Sequence, residues 1–405
     1  MRLACRRLRS GWGRPRGTGA SDPRSTGASD RGDSATFAIV AGGGTAGHVL
    51  PALAVGHALV EAGHPQSNIH FVGSRRGIEG RLVPAAGFEV TLLPGRGLVR
   101  HLDRDNLGAL AGLAQALAMA LRLVARRHPA VVLSVGGYAG LPCALAAVAL
   151  RVPLVVAESN AVPGAANRLV GRLARASAVA FEGTALPRAV VTGNPVRPEM
   201  AAVDRSSEGR AAARARLGLL EERMVVAVFG GSLGALRINQ AALGLARDWA
   251  GRGDLAIYHV VGRRDWPEVA RDLPRAPGGG LVYQGVEYEE HMDCVLAAAD
   301  LVVCRAGATS VAELAVAGVP SVLVPLPGAP GDHQTANAKA MVSAGGAVRL
   351  VDEQCTPTRL AEVVGDLLAD PERLATMGRA AGRMGRPDAA ARVAQLVESN
   401  ARRQR

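Results

Sequence analysis

The chain has 405 residues, more than one ordinary hydrophobic core organises and suited to two domains of ~150–200 residues. Of these residues 48% are apolar and only 3% aromatic, the balance of a soluble α/β protein. The net charge of +12 comes almost wholly from arginine, Lys339 being the only lysine. With so much alanine and glycine this pattern fits a GC-rich genome; the competing reading is a surface that concentrates anionic partners such as phospholipid head groups or diphosphates. Nucleic acid is disfavoured as a partner, because neither an aromatic-basic stacking platform nor a known docking motif occurs. Five scattered cysteines (Cys5, Cys143, Cys294, Cys304 and Cys355) form no C-x-x-C pair. They read as reduced small hydrophobes of a cytosolic protein.

Residues 1–35 are rich in Arg, Gly and Ser and hold no apolar run. That excludes a secretory signal and predicts a disordered tail or an upstream start, with an organelle transit peptide as the minor alternative. Deleting 1–35 is therefore expected to leave activity intact. A truncated chain that melts cooperatively yet is inactive would overturn the disorder reading.

From Phe37 the pattern alternates. Strands are predicted over 37–41, 69–72, 89–93, 131–135, 154–157 and 178–181, and helices over 49–62, 77–86, 107–127, 141–149 and 165–174. The helix over 107–127 has too short an unbroken apolar run to span a bilayer. Just before it, 96–104 mixes arginines with Leu98, Val99 and Leu102. This is either a solvated loop or a peripheral membrane patch with arginines on phosphates. Asn194-Pro195-Val196-Arg197-Pro198 cannot continue a helix or a central strand and is predicted to be the hinge.

Beyond the hinge the order repeats. Strands are predicted over 225–229, 256–260, 281–284, 301–303, 321–324 and 347–350, with helices over 235–250, 292–298, 310–317 and 335–344, then two C-terminal helices over 357–369 and 387–399. Such alternation predicts parallel, doubly wound sheets. The expected domains are 36–197 and 198–385, with 386–405 returning to the first.

Two segments carry one design: Phe37 to Pro51 (F-A-I-V-A-G-G-G-T-A-G-H-V-L-P) and Val225 to Asn239 (V-V-A-V-F-G-G-S-L-G-A-L-R-I-N). Each runs from an apolar strand through glycines into a helix, where backbone N–H groups and the helix N-terminus favour a phosphate. A cleft between two such halves suits a nucleotide-linked donor on one side and an acceptor on the other. The first loop also matches a dinucleotide fingerprint. However, the next strand ends in Gly73-Ser74-Arg75-Arg76, without the carboxylate that would bind a ribose. Instead the loop ends in His48, either a structural cap or a base for deprotonating a hydroxyl.

Taken in order, Gly42-Gly43-Gly44-Thr45-Ala46-Gly47-His48-Val49-x-Pro51, Val135-Gly-Gly-Tyr138, Glu158-Ser-Asn160, Gly193-Asn-Pro-Val-Arg197, Gly230-Gly-Ser232, Arg305-Ala-Gly-Ala308 through Glu313, and Asp332-His-Gln334-x-x-Asn337-Ala338 resemble the MurG family, the family 28 glycosyltransferases of peptidoglycan synthesis. The likeness runs from about Phe37 to Ser399. It implies a GT-B fold, two doubly wound Rossmann-like domains facing across a cleft. It also implies inverting transfer of GlcNAc from UDP-GlcNAc to the C4 hydroxyl of the muramyl sugar of lipid I (undecaprenyl-diphospho-MurNAc-peptide), giving lipid II. No cofactor or metal is implied, and no Asp-x-Asp motif stands at a strand end. The location implied is the cytoplasmic face of the bacterial cell membrane, peripheral on an anionic surface.

Carried over residue by residue, His48 is the expected catalytic base. Thr45, Ala46, Gly47, Asn160, Arg197, Ser232, Glu289, Ala308, Thr309, Ser310, Glu313 and Gln334 are expected on the UDP-GlcNAc side, and Gly44, Tyr138 and Glu158 on the acceptor side. Within that set Ser232 holds the diphosphate at a helix N-terminus, Glu313 accepts from the ribose hydroxyls, and Asn160 and Gln334 read sugar hydroxyls and the acetamido group. Arg197 contacts the nucleotide, and the backbone near Glu289 meets the uracil. Each has a plain alternative: a helix-end carboxylate for Glu313, turn formers for the amides, a solvated hinge charge for Arg197. The chain departs from the family in Ala46, where a second glycine is usual, and in Ala157, where a histidine is usual. Three alternatives remain open at this point: another GT-B enzyme acting on a lipid or natural product, a UDP-GlcNAc 2-epimerase, and a non-catalytic sugar-nucleotide-binding protein. Joint appearance of free UDP and a new glycoside discriminates the transferase from the last two.

Overall fold

The computed structural model describes residues 36–94, 105–231, 234–274 and 279–402. Seven strands form the first sheet: β1 (Ala38–Gly43), β2 (Ile69–Ser74), β3 (Glu89–Leu93), β4 (Val131–Gly136), β5 (Leu154–Glu158), β6 (Ala176–Val179) and β7 (Ala189–Val191). Six form the second: β8 (Met224–Phe229), β9 (Leu255–Val260), β10 (Val282–Val286), β11 (Leu301–Cys304), β12 (Ser321–Leu323) and β13 (Ala347–Arg349). The sheet orders are β3-β2-β1-β4-β5-β6-β7 and β10-β9-β8-β11-β12-β13, and all pairs are parallel. Helices cover both faces, so the central strands are mostly apolar; every residue of β1 and of β4 is buried, Ser134 included. This is the GT-B arrangement of two Rossmann-like halves.

In each sheet the first strand lies inside, between the outgoing and the returning order. The reversal opens a crevice at the carboxyl ends of β1 and β4, and another at those of β8 and β11. Both glycine loops therefore stand where a doubly wound sheet binds its ligands.

The structure departs from the predicted elements where local pattern is weak. The strand expected over 178–181 is Ala176–Val179, because Arg175 and Ser177 obscure its start in the sequence and pairing with β5 sets the register, Val155 opposite Ala176. β7 was too short to signal itself. Helix Ser207–Leu217 was also missed; it starts at Ser206, whose hydroxyl accepts from Gly209 N–H, and stops at Gly218 with φ +71°. At the C-terminus there are three helices rather than two: Pro357–Leu368, Pro371–Met384 and Ala389–Asn400.

The last helix packs on the first sheet. Val393, Ala394 and Val397 share one buried cluster with Ala38, Val40 and Val131, Glu398 meets His64 at 2.9 Å, and Arg402 N–H donates to Ala130 O at 2.9 Å. The chain thus crosses between halves twice, and the crossings touch: a Cβ built on Gly193 would lie 2.5 Å from the Arg386 Cβ. Among the described residues no helix is long and apolar enough to cross a membrane.

Candidate active site

The first loop is glycine by necessity. Gly42, Gly43 and Gly44 have φ of +152°, +145° and +101°, and a Cβ on Gly43 would overlap the carboxylate of Glu79. A Cβ on Gly137 would overlap the Gly43 carbonyl oxygen, so the turn after β4 presses against the turn after β1. The loop then enters helix Ala46–Glu61 through Thr45 in extended conformation. Thr45 Oγ1 and His48 Nδ1 are hydrogen-bonded at 3.1 Å. The imidazole leans over Gly136, where a Cβ would lie 3.6 Å from Nε2. Burial lowers the pKa of His48; the carboxylates of Glu158 and Glu79 pull it partly back, and His333 opposes them. The ring is therefore neutral near pH 7 and has a lone pair to offer.

Glu158 organises the neighbouring loop. Its Oε1 accepts from Asn160 N–H (3.0 Å) and Asn160 Nδ2 (3.1 Å), and its Oε2 from Gly164 N–H (2.9 Å) and Asn167 Nδ2 (2.9 Å). With both oxygens engaged, it acts on this loop's geometry. Asn160 continues the chain of contacts into the other half. Its Oδ1 accepts from Asn337 Nδ2 at 3.1 Å, while Asn337 Oδ1 accepts from Ala161 N–H at 2.9 Å. Asn337 also donates to Ala306 O at 3.2 Å, so one fully buried amide joins the two domains. Tyr138, expected on the acceptor side, donates to Pro94 O at 3.0 Å and braces its helix, Gly137–Ala149, against the end of β3.

Helix Ala308–Ala317 presents the opposite wall. Thr309 Oγ1 is buried without a hydrogen-bond partner and stands 3.8 Å from a Cβ built on Gly47, so the first loop and this helix face each other closely. One turn on, Glu313 Oε1 lies 3.6 Å from Arg197 Nη2, and Arg197 Nη1 donates to Glu199 Oε1 at 3.2 Å. Burial pushes the Glu313 carboxyl up to about 7, with Arg197 pulling it down and Glu199 pushing it further up. Arg197 Nε is likewise buried and unpartnered. Arg197, Glu313 and Thr309 thus line one wall with unused polar capacity.

Gln334, at the start of helix His333–Ser343, accepts from Leu326 N–H at 2.9 Å. Arg305 holds the same stretch by donating to Val324 O and Pro325 O, both at 3.2 Å, and to Asp352 at 2.5 Å. The side chain of Glu289 accepts from Tyr258 OH (2.6 Å) and His291 N–H (2.7 Å) and so fixes its own turn. Ser232 and the basic stretch 96–104 lie outside the described residues.

Beneath the second glycine loop lies a buried polar chain that sequence reasoning missed. His259 meets Tyr283 OH at 2.5 Å and Asn239 Oδ1 at 2.9 Å, and Asn239 Nδ2 donates to Asp265 Oδ2 at 3.0 Å. A Cβ on Gly234 would lie 2.6 Å from that Asp265 oxygen, so the loop rests on the network. A histidine inside the apolar strand L-A-I-Y-H-V was the available signal. Glu79 was missed too, and Asn337 stood in the motif without a role, because nothing local marks an amide or acid as buried. Among the described residues no group of three or more His, Cys, Asp or Glu side chains forms a metal site.

Two family models match, the glycosyltransferase family 28 N-terminal domain over residues 38–179 and the family 28 C-terminal domain over residues 225–393. The chain is 42% identical over 363 residues to the UDP-N-acetylglucosamine--N-acetylmuramyl-(pentapeptide) pyrophosphoryl-undecaprenol N-acetylglucosamine transferase of Acidothermus cellulolyticus, covering 90% of this chain and 97% of the relative. To the enzyme of the same name from Mycolicibacterium vanbaalenii it is 41% identical, over 91% of this chain and 90% of the relative. The crystal structure of Acinetobacter baumannii MurG superposes with a TM-score of 0.71 at 28% identity, covering 90% of this chain and 99% of that one. The chain belongs to glycosyltransferase family 28, among the MurG-type N-acetylglucosaminyltransferases.

Proposed function

We propose that the chain transfers N-acetylglucosamine from UDP-GlcNAc to the C4 hydroxyl of the muramyl sugar of lipid I, with inversion, forming lipid II. The observation that carries the reading is the facing pair of walls: a neutral imidazole at the end of one glycine loop opposite a helix whose Thr309, Glu313 and neighbouring Arg197 have unused polar capacity. The acceptor oxygen forms its bond to the anomeric carbon as the bond to the diphosphate breaks. The hydroxyl proton passes to His48 Nε2, and the electron pair of the broken bond leaves on UDP. This requires the tautomer in which His48 Nδ1–H donates to Thr45 Oγ1, so Thr45 sets which nitrogen is the base. Arg197 and the second glycine loop, with Ser232, counter the charge developing on the diphosphate. Glu313, once ionised, accepts from the ribose hydroxyls. Asn160 and Gln334 read the sugar. Ala46 and Gly47 let the donor approach the backbone, as do Ala308 and Ser310.

Labelled UDP-GlcNAc with a lipid I analogue is expected to yield free UDP and labelled lipid in equal amounts, with neither product when the analogue is omitted. UDP release independent of the analogue, or release without a glycoside, would overturn the reading.

The same reading places the enzyme peripherally on the cytoplasmic face of the cell membrane. Supporting it, Leu169 and Leu173 are 54% and 57% exposed and alternate with the exposed Arg168, Arg172 and Arg175, an arrangement that suits an anionic lipid surface. Replacing both leucines with aspartate is expected to weaken co-sedimentation with phosphatidylglycerol vesicles ~10-fold or more, since apolar insertion is lost and like charge added. Unchanged sedimentation would remove this patch from the membrane face.

A further inference from the structure

Under the first glycine loop lies an acid for which the proposed mechanism has no use. Glu79 is 2% exposed. Its Oε1 accepts from Gly44 N–H at 2.5 Å and Ser74 N–H at 3.3 Å, and its Oε2 is buried with no hydrogen-bond partner. Three glycines make room for it: Cβ atoms on Gly43 and Gly77 would overlap the carboxylate, and one on Gly73 would lie 2.7 Å from the Glu79 Cβ. The remaining walls, including Val49, Ala52, Phe71 and Val83, are apolar. Burying a half-satisfied carboxylate among such walls is costly. Holding the loop alone needs only a neutral acceptor.

We propose that Glu79 is a positioning residue for His48, fixing through Gly44 the loop from which the helix Ala46–Glu61 starts and steadying by its charge the imidazolium that forms during transfer. The groups facing His48 are Thr45 on its own element, Glu79 beneath the loop, Glu158 from β5 with Asn167 beside it, and His333 from the other half. Of the two anions, Glu158 distributes its charge over four donors. Glu158 pulls on the ring more strongly than Glu79 does, but Glu79, with two donors and one bare oxygen, is the one whose charge has no other partner to serve.

The inference rests on His48 being the base, and its test separates the two. Glu79→Gln keeps the shape and an acceptor for Gly44 N–H but removes the charge. With histidine 13C-labelled and the His48 resonance assigned through His48→Gln, the titration midpoint of His48 is expected to fall by about 0.5 pH or more in Glu79→Gln. In the same variant kcat is expected to drop about 3-fold or more with the KM for UDP-GlcNAc within about 2-fold. An unchanged midpoint in a cooperatively melting variant overturns the proposal, whatever happens to kcat. A raised KM with unchanged kcat overturns it as well. Full turnover by His48→Ala would instead remove the base assignment, while the midpoint would still report whether Glu79 acts on the ring.

Discussion

His48→Ala is expected to lower kcat by ~10²–10⁴-fold, the usual contribution of a positioned general base, while UDP binding stays nearly unchanged. The reason is spatial. The imidazole belongs to the first glycine loop, whereas Arg197 lies in the stretch linking the two sheets and Glu313 on the opposite wall. Steady-state turnover beside calorimetric titration with UDP checks both halves of the statement. Near-normal turnover would pass the base role to another group, and since both Glu158 oxygens are engaged by four donors, a bound water would become the leading candidate. Loss of UDP binding along with activity would make His48 a cap that holds the loop.

Glu313→Ala is expected to raise the KM for UDP-GlcNAc by ~10-fold or more, because a charged hydrogen bond is worth ~1.5–3 kcal/mol. Unchanged donor affinity in a folded variant would remove Glu313 from the site. The carboxyl adds a pH signature whose sign follows from its upward displacement from 4.5 to about 7. In the empty protein the folded state holds this proton more tightly than the unfolded chain does. Its contribution to stability is therefore complete below the ordinary carboxylate range and is lost as pH rises through about 7. A nucleotide whose ribose donates to the carboxylate favours the ionised form, so the rise in Tm caused by UDP should be larger at pH 8 than at pH 6. In Glu313→Gln that difference should vanish; its persistence would assign the pH dependence to another group.

The two halves and their glycine loops were legible because parallel strands buried on both faces read as apolar runs, and the helices between them carry their own period. Elements lacking that contrast were lost. Helix Pro371–Met384 buries only Leu374, Met377 and two alanines, and β7 exists as a strand because β6 pairs with it. The same divide runs through the site. Thr45, His48 and Thr309 stand at a strand end or a helix start, and Glu313 one turn further along its helix, where chain order alone locates them. Glu79, Asn239, His259 and Asn337 acquire their meaning from partners far along the chain, and no local spacing encodes such a pairing. Ala157, unusual for the family, leaves the Glu158 network whole, since its contribution is the carbonyl that accepts from Asn167 Nδ2 at 3.1 Å.

Because helix Ala389–Asn400 completes the buried cluster over β1 and β4, the amino-terminal half is made early and finished last. During synthesis its sheet must wait, with the surface destined for Val393, Ala394 and Val397 uncovered, until nearly the whole second half has left the ribosome. Contacts of such sequence separation close slowly. The first half expressed alone, ending at the hinge, would carry that apolar strip permanently open, and supplying the last helix as a separate peptide is the direct way to close it.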